Sequence, residues 1–286
     1  MKVYIDGKYY ERGEAMISVF DHGLLYGDGV FEGIRIYKGK VFKLKEHIER
    51  LYQSAKTILL DIPISRAEME NATIEAVHEN AKEDGYIRLV VTRGEGPLGL
   101  DPAQCAKPKI IIIVGDIQLY PQEYYEKGIA VVTAASRRMP ADSLDPRVKS
   151  LNYLNNVMAK VEAKQAGCLE AVLLNHEGYV TECTADNIFI VKDGTLLTPA
   201  AHYGALDGIT RMTVMNNLAP SCGIASRETA LTRYDLYTAD ECFMTGTGAE
   251  IMPVTKIDGR VIGNGNPGPA TKRLIEGFKT HISMQE

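Results

Sequence analysis

The spacing of apolar positions changes character several times along the chain. Two short runs, Lys2–Ile5 and Lys8–Tyr10, flank Asp6-Gly7 and predict a β-hairpin, because Asp-Gly tolerates the positive φ values of a tight two-residue turn. After a glycine-rich stretch from Gly23 to Gly33, the runs Gly33–Tyr37 and Val41–Lys43 flank Lys38-Gly39-Lys40 and predict a second hairpin. The period then becomes helical. Leu44, Ile48, Leu51, Ala55 and Ile58 share one face, and Pro63 interrupts the pattern. Ser65-Arg66-Ala67-Glu68 is a capping box opening a helix whose apolar face is Met69, Thr73, Ala76 and Val77. Tyr86–Thr92 and Lys109–Val114 read as strands, the second so rich in isoleucine that burial on both faces is expected.

The second half carries more strands. Ile129–Thr133 is a strand, Met139–Pro146 is turn-rich, and Asn152–Ala166 is a helix stopped by Gly167. Glu170–Leu174, Tyr179–Glu182, Asn187–Val191 and Thr195–Thr198 read as a meander with turns at 175–178 and Asp193-Gly194. Gly208-Ile209-Thr210 opens a helix that Pro220 should stop. Glu241–Thr245, Ile251–Ile257 and Arg260–Ile262 are further strands, and a last helix runs from Pro267 to about Ile282. Two helices beside an antiparallel sheet make residues 1–117 a small α+β domain. Residues 118–127, with Pro121, read as a connector, and 128–286 as a larger domain.

Composition narrows the function. The 286 residues are 45% hydrophobic and 24% charged, which fits a globular protein and not a disordered one. Lys and Arg number 32 against 37 Asp and Glu, a net charge of −5, so nucleic acid is not an expected partner. No apolar run is long enough to span a bilayer, and the N-terminal residues lack the apolar core of a signal peptide; a cytoplasmic protein with no membrane partner is expected. Five cysteines without a C-x-x-C pair read as free thiols. No two of the six histidines stand at i, i+4, so no metal site is expected.

Several residues could carry chemistry. Gly27, Gly29 and Gly33 miss the dinucleotide-binding spacing by one residue and precede a hairpin, so they read as a loop needing positive φ or close backbone approach. Lys149 lies between apolar residues at a strand-to-helix junction. It is either a snorkelling surface lysine or an amine whose burial favours the neutral nucleophilic form. Glu182 is either a polar strand end or a carboxylate fixed to hold a proton on a heteroaromatic nitrogen. Gly208-Ile209-Thr210 is either an ordinary helix start capped by Asp207 or an anion site. Thr245-Gly246-Thr247-Gly248 offers backbone N–H groups for an anion, and Arg50 offers a guanidinium or simply a solvated helix face. A lysine, a carboxylate, phosphate donors and an arginine together match the needs of pyridoxal phosphate.

Five motifs then carry a resemblance. Val30-Phe31-Glu32-Gly33-Ile34-Arg35, Glu46-His47-Ile48-Glu49-Arg50-Leu51, Lys149-Ser150-Leu151-Asn152-Tyr153-Leu154, Gly208-Ile209-Thr210-Arg211 and Thr245-Gly246-Thr247 resemble fold-type IV (class IV) aminotransferases in order and spacing, over nearly the whole chain. Within that family the chain is most similar to branched-chain amino acid aminotransferases of the short prokaryotic type. The resemblance implies two domains, a small α/β one and a larger one with a β-barrel-like core and helices. It implies pyridoxal 5′-phosphate as cofactor, bonded to Lys149, which also moves the proton. Glu182 would pair with the ring nitrogen, Arg50, Ile209, Thr210 and Thr247 would bind phosphate, and Tyr153 would bond the ring oxygen. The N–H groups of Thr247 and Gly248 would bind the substrate carboxylate, and Tyr26, Phe31, Gly33, Arg35, Tyr86 and Arg88 would line the substrate pocket. It further implies amino acids and 2-oxo acids as ligands, and a homodimer or dimer-based hexamer in which the loop 96–100 reaches the neighbouring subunit.

Cys183, Thr184-Ala185, Gly248 and Pro220 depart from the family's usual residues. The expected reaction moves the amino group of leucine, isoleucine or valine to 2-oxoglutarate. A D-amino acid or (R)-amine transaminase is the rival on the same fold, although the loop Gly96-Pro97-Leu98-Gly99-Leu100 lacks the Arg-x-His that D-specific relatives often carry there. Aminodeoxychorismate lyase is a further rival, disfavoured by Phe-Glu-Gly-Ile-Arg. A non-catalytic binding domain or a nucleotide-binding enzyme would be a different class altogether.

Overall fold

Asp6 and Gly7 adopt φ values of 48° and 86°, so the first hairpin closes on the turn its Asp-Gly dipeptide predicts. The computed structural model describes residues 1–105, 107–117 and 120–284. The chain packs as two compact units, Met1–Gln118 with Val148–Asn152, and Leu119–Arg147 with Tyr153–Glu286.

The first unit contains β1 (Lys2–Ile5), β2 (Lys8–Glu11), α1 (His22–Tyr26), β3 (Gly29–Tyr37), β4 (Lys40–Val41), α2 (Leu44–Thr57), α3 (Arg66–Glu79), β5 (Gly85–Thr92) and β6 (Lys109–Gly115). Its sheet is antiparallel in the order β2-β1-β6-β5-β3-β4. The capping box of α3 is present, with the Ser65 hydroxyl accepting from the Glu68 amide and the Glu68 carboxylate accepting from the Ser65 amide at 2.7 Å. Ile48, Leu51 and Ala55 of α2 and Met69, Ala76 and Val77 of α3 cover one sheet face, formed by Val30, Ile34, Ile36, Ile87, Leu89 and Val91 among others.

Two expectations change here. β6 is not buried on both faces. Ile110, Ile112 and Val114 lie in the core while Ile111 and Ile113 are half-buried, because the helices cover one face only. The glycine-rich stretch is not one loop. Gly27 caps α1 at φ 69°, whereas Gly29 and Gly33 lie within β3, where a Cβ on Gly29 would come within 2.6 Å of the Val91 carbonyl and one on Gly33 would collide with the Tyr86 hydroxyl. Positive φ and close approach are thus each required, at different glycines.

The segment 148–152 completes this unit by pairing beside the start of β3. Phe31 N donates to Lys149 O at 3.0 Å, Leu151 N to Gly29 O at 3.0 Å, and Lys149 N to the Ser54 hydroxyl at 3.1 Å.

The second unit begins with α4 (Gln122–Lys127), a short helix where the sequence suggested only a connector. β7 (Ile129–Arg137), α5 (Leu154–Gln165), β8 (Glu170–Leu174), β9 (Val180–Cys183), β10 (Asn187–Lys192) and β11 (Thr195–Pro199) follow. Then come α6 (Ile209–Thr213), α7 (Ala219–Ser221), β12 (Ser226–Thr229), α8 (Arg233–Tyr237), β13 (Glu241–Gly246), β14 (Glu250–Ile257), β15 (Arg260–Val261) and α9 (Pro269–Met284). The strand order is β12-β11-β10-β13-β14-β7-β8-β9, with β15 beside β14.

β9 and β10 stand five places apart in that order, which in a flat sheet is roughly 24 Å. Yet only residues 184–186 join them, a link that can span at most about 15 Å. The sheet must therefore curl, and it does so around a core that includes Val131, Val172, Val180, Ile188, Met244 and Val254. The expected meander is corrected accordingly. β8 and β9 form one hairpin and β10 and β11 another, but β9 and β10 are not sheet neighbours.

Pro220 does not stop its helix. The preceding turn, Val214–Leu218, widens to a π-helix, and Ala219 N bonds to Val214 O. That shift accommodates a ring with no N–H, and the helical run ends instead at Cys222 and Gly223. Among the described residues, no helix is long and apolar enough to cross a membrane.

Candidate active site

Strand alternation sorts the first unit's candidates onto two faces. Gly33 pairs with Arg88, Arg35 with Tyr86 and Phe31 with Val90. Phe31, Gly33, Arg35, Tyr86 and Arg88 therefore share the sheet face opposite the helices. The Arg88 guanidinium stacks 4.6 Å from the Phe31 ring centroid and 5.6 Å from that of Tyr86, while the Arg35 guanidinium lies 4.7 Å over Tyr37. The Lys149 amine sits 4.7 Å from the Phe31 ring, so the lysine and this aromatic, cationic face are brought together. Gly33 is required because the Tyr86 hydroxyl occupies the space of a side chain. Tyr26 lies on α1, where its ring packs edge-on to His22 at 4.9 Å and its hydroxyl accepts from Gly99 N at 3.1 Å.

Arg50 lies on the other face. It donates from Nε at 2.8 Å and from Nη2 at 2.7 Å to the two oxygens of Glu32, which also accepts from His47 Nδ1 at 2.7 Å. Glu32 and His47 have no solvent exposure. Burial alone would raise the Glu32 carboxyl, but the Arg50 charge and the hydrogen bonds from Arg50 and His47 outweigh it and hold the group well below the usual carboxylate range. Burial pushes His47 below its usual value, partly opposed by Glu32.

In the second unit, Glu182 stands near the end of β9. Its Oε1 meets Arg138 Nη2 at 2.8 Å and its Oε2 accepts from Leu206 N at 2.8 Å. Arg138 is held in turn by the Gly204 carbonyl at 3.1 Å and Asn156 Oδ1 at 2.8 Å. All three side chains are buried. Thr210 is buried one residue into α6, and no side chain caps that helix start. Asp207, the expected cap, pairs instead with Arg211 at 3.2 Å, and Gly208 takes the N-cap position, where any larger residue would overlap Asn187 Oδ1. Thr247 and Gly248 form the turn between β13 and β14, beside Thr245, whose hydroxyl is buried with no hydrogen-bond partner among the described residues. Tyr153 is the N-cap of α5. Cys183 is fully buried, and burial drives its thiol well above its ordinary pKa, so the departure beside Glu182 does not create a reactive thiolate.

The sequence reading gave Arg138, Asn156, Glu32 and His47 no role, although Glu32 and His47 lie within two of the quoted motifs. Glu32 did carry a signal: it breaks an otherwise apolar series, Val30, Ile34 and Ile36, on the core face of β3. Arg138 carried none, because its partners lie 18 to 66 residues away.

Each unit carries groups that suit a phosphorylated heteroaromatic aldehyde. In the second, a fixed carboxylate can accept from a ring N–H and an uncapped helix start can serve a phosphate; in the first, a lysine amine can bond an aldehyde. Over residues 29–257 the sequence matches the family Amino-transferase class IV. The chain belongs to that family. Class IV aminotransferases use pyridoxal 5′-phosphate, and the residues present fit it. This class IV aminotransferase is 55% identical to a putative branched-chain-amino-acid aminotransferase of Methanocaldococcus jannaschii, over 98% of this chain and 96% of that one. It is 40% identical to a D-alanine aminotransferase of Bacillus licheniformis, over 99% and 97%. Its fold matches the crystal structure of a branched-chain aminotransferase from the thermophilic archaeon Thermoproteus uzoniensis with norvaline at a TM-score of 0.93 and 39% identity, covering 100% of this chain and 96% of that one.

Proposed function

We propose that this class IV aminotransferase transfers the amino group of leucine, isoleucine or valine to 2-oxoglutarate. The face that joins Phe31 and Tyr86 to Arg35 and Arg88 carries this reading. One substrate presents an aliphatic chain and the other a γ-carboxylate. Aromatic rings suit the first and guanidinium groups the second. The likeness to proteins named branched-chain aminotransferases supports it.

The bound cofactor supplies the electron sink that makes the substrate Cα proton removable. Lys149 would hold the cofactor aldehyde until the substrate amine takes its place, and its freed amine would then carry that proton. Glu182, fixed by Arg138 and Leu206 N, accepts from the ring N–H. Arg50, Ile209, Thr210 and Thr247 bind the phosphate, and Tyr153 bonds the ring oxygen. The amides of Thr247 and Gly248 hold the substrate carboxylate, and Tyr26, Phe31, Gly33, Arg35, Tyr86 and Arg88 shape the pocket.

The D-amino acid reading is the rival, because a D-alanine aminotransferase is also 40% identical. A half-reaction separates the two. L-leucine, D-alanine or (R)-1-phenylethylamine is added to cofactor-loaded protein and the visible band of the lysine-bound cofactor is followed. Rapid loss with L-leucine alone is expected; rapid loss with D-alanine or the amine would reassign the substrate on the same fold.

A second copy of the chain is the proposed partner. Helix α5 turns small residues inward, Ala159 and Ala163, and exposes Leu154, Val157, Met158 and Val161 at i, i+3, i+4 and i+7. A helix that is apolar on both faces is normally covered on both. Val157→Lys combined with Val161→Lys should lower the mass measured by light scattering to that of a monomer; an unchanged mass would place the contact elsewhere. The five free cysteines suit the reducing cytoplasm proposed as its compartment.

A further inference from the structure

We propose that Glu32 is a positioning residue for cofactor binding, fixing the Arg50 guanidinium in the orientation that receives the phosphate. This rests on the phosphate role given to Arg50 above.

The location of Glu32 is the first reason. It is a fully buried carboxylate on the core face of β3, among Val30, Ile34, Ile36, Ile48 and Leu51. A lone charge there is costly, and packed apolar residues would stabilise the sheet as well or better. The second reason is geometric. Glu32 takes Nε and Nη2 of Arg50, one on each oxygen, so the planar guanidinium cannot rotate about its own axis or swing with the flexible side chain. His47, one helical turn before Arg50, holds the carboxylate from a third direction through Nδ1. An ionised carboxylate only accepts, so Nδ1 must carry the proton. Burial keeps His47 below its usual pKa, and Glu32 remains ionised because of its partners. Strand β3 and helix α2 thereby share one rigid joint, and Arg50 is its outermost member, at 11% side-chain exposure against none for Glu32 and His47.

A contrary effect has to be weighed. The Glu32 charge offsets that of Arg50 and so reduces its attraction for an anion. If attraction alone mattered, removing Glu32 would tighten phosphate binding. If orientation matters more, removing it weakens binding, because the released side chain must be ordered again each time the phosphate arrives.

The experiment compares two ligands that differ only in the phosphate. Dissociation constants of the apo-enzyme for pyridoxal 5′-phosphate and for pyridoxal are measured spectroscopically in wild type, Glu32→Gln, Arg50→Ala and the double variant. Glu32→Gln is expected to weaken pyridoxal 5′-phosphate about tenfold and leave pyridoxal unchanged. The double variant should bind no more weakly than Arg50→Ala, since Glu32 acts through Arg50. Equal losses for both ligands would reveal a merely structural role, and tighter binding of the phosphorylated ligand would reveal charge masking; either overturns the proposal. An Arg50→Ala variant that keeps wild-type affinity would instead overturn the phosphate role of Arg50 itself. If Glu32→Gln does not fold, Glu32→Asp carries the same comparison: it keeps the charge but draws the carboxylate back by one methylene, and a selective loss of the phosphorylated ligand is again expected.

Discussion

Lys149→Ala should abolish transamination, with a loss of about 10⁴-fold or more in kcat, because it removes both the group proposed to hold the cofactor aldehyde and the proposed carrier of the Cα proton. The fold should survive. Lys149 is held by its backbone, through Phe31 N, the Ser54 hydroxyl and the neighbouring pairing of Leu151 with Gly29, and none of these needs its side chain. The amine itself contributes a stacking contact over Phe31. The variant is therefore expected to melt near the wild-type temperature and still to bind cofactor, without the visible band of the lysine-bound form. A small primary amine added to the solution should restore part of the single-turnover rate, since it can stand in for the missing proton carrier. Near-normal activity in Lys149→Ala would sink the assignment of this lysine.

Glu182→Gln should have the second-largest effect, lowering kcat about 10²- to 10³-fold. The amide keeps the shape and can still accept from Leu206 N, but it no longer presents a negative charge to the ring N–H that Glu182 is proposed to hold. The same change strands Arg138, which is 6% exposed and loses its counter-ion. Breaking a buried pair from one side costs roughly 3–5 kcal/mol of stability. The two consequences separate in the double variant Glu182→Gln with Arg138→Met. Removing both charges should restore part of the melting temperature, since the Gly204 carbonyl and Asn156 Oδ1 lose their donor, and none of the rate. If the single variant turned over normally, some other carboxylate would hold the ring nitrogen. If rate and stability recovered together in the double variant, Glu182 would be a structural residue only.

The expectations that failed share a cause. Lys109–Val114 reads as a doubly buried strand because isoleucine fills both of its faces, yet only Ile110, Ile112 and Val114 meet the helices. Pro220 reads as a helix stop because nothing in the local sequence announces the π-turn that absorbs it. The segment 170–198 reads as a continuous meander because its turns are locally indistinguishable, although the sheet is interrupted between β9 and β10. Between Pro220 and Glu241 the sequence pattern predicted nothing regular, and β12 forms there because β11 offers it a parallel edge.

Features with short-range causes were legible in the order of residues. Turn dipeptides, helical periods and the Ser65 capping box depend on neighbours a few residues apart, and the five motifs that identify the family are likewise contiguous. Which face each side chain serves became visible only in the folded chain. Phe31 and Glu32 are adjacent in sequence, but the pleat sends one to the face of Lys149 and the other to Arg50 and His47. Folding likewise brings Arg138 to Glu182 across 44 residues. Alternation along a strand is visible in a sequence, but the side on which a helix packs, and the remote charge that a buried carboxylate finds, are set by the packing of whole elements and leave no local mark.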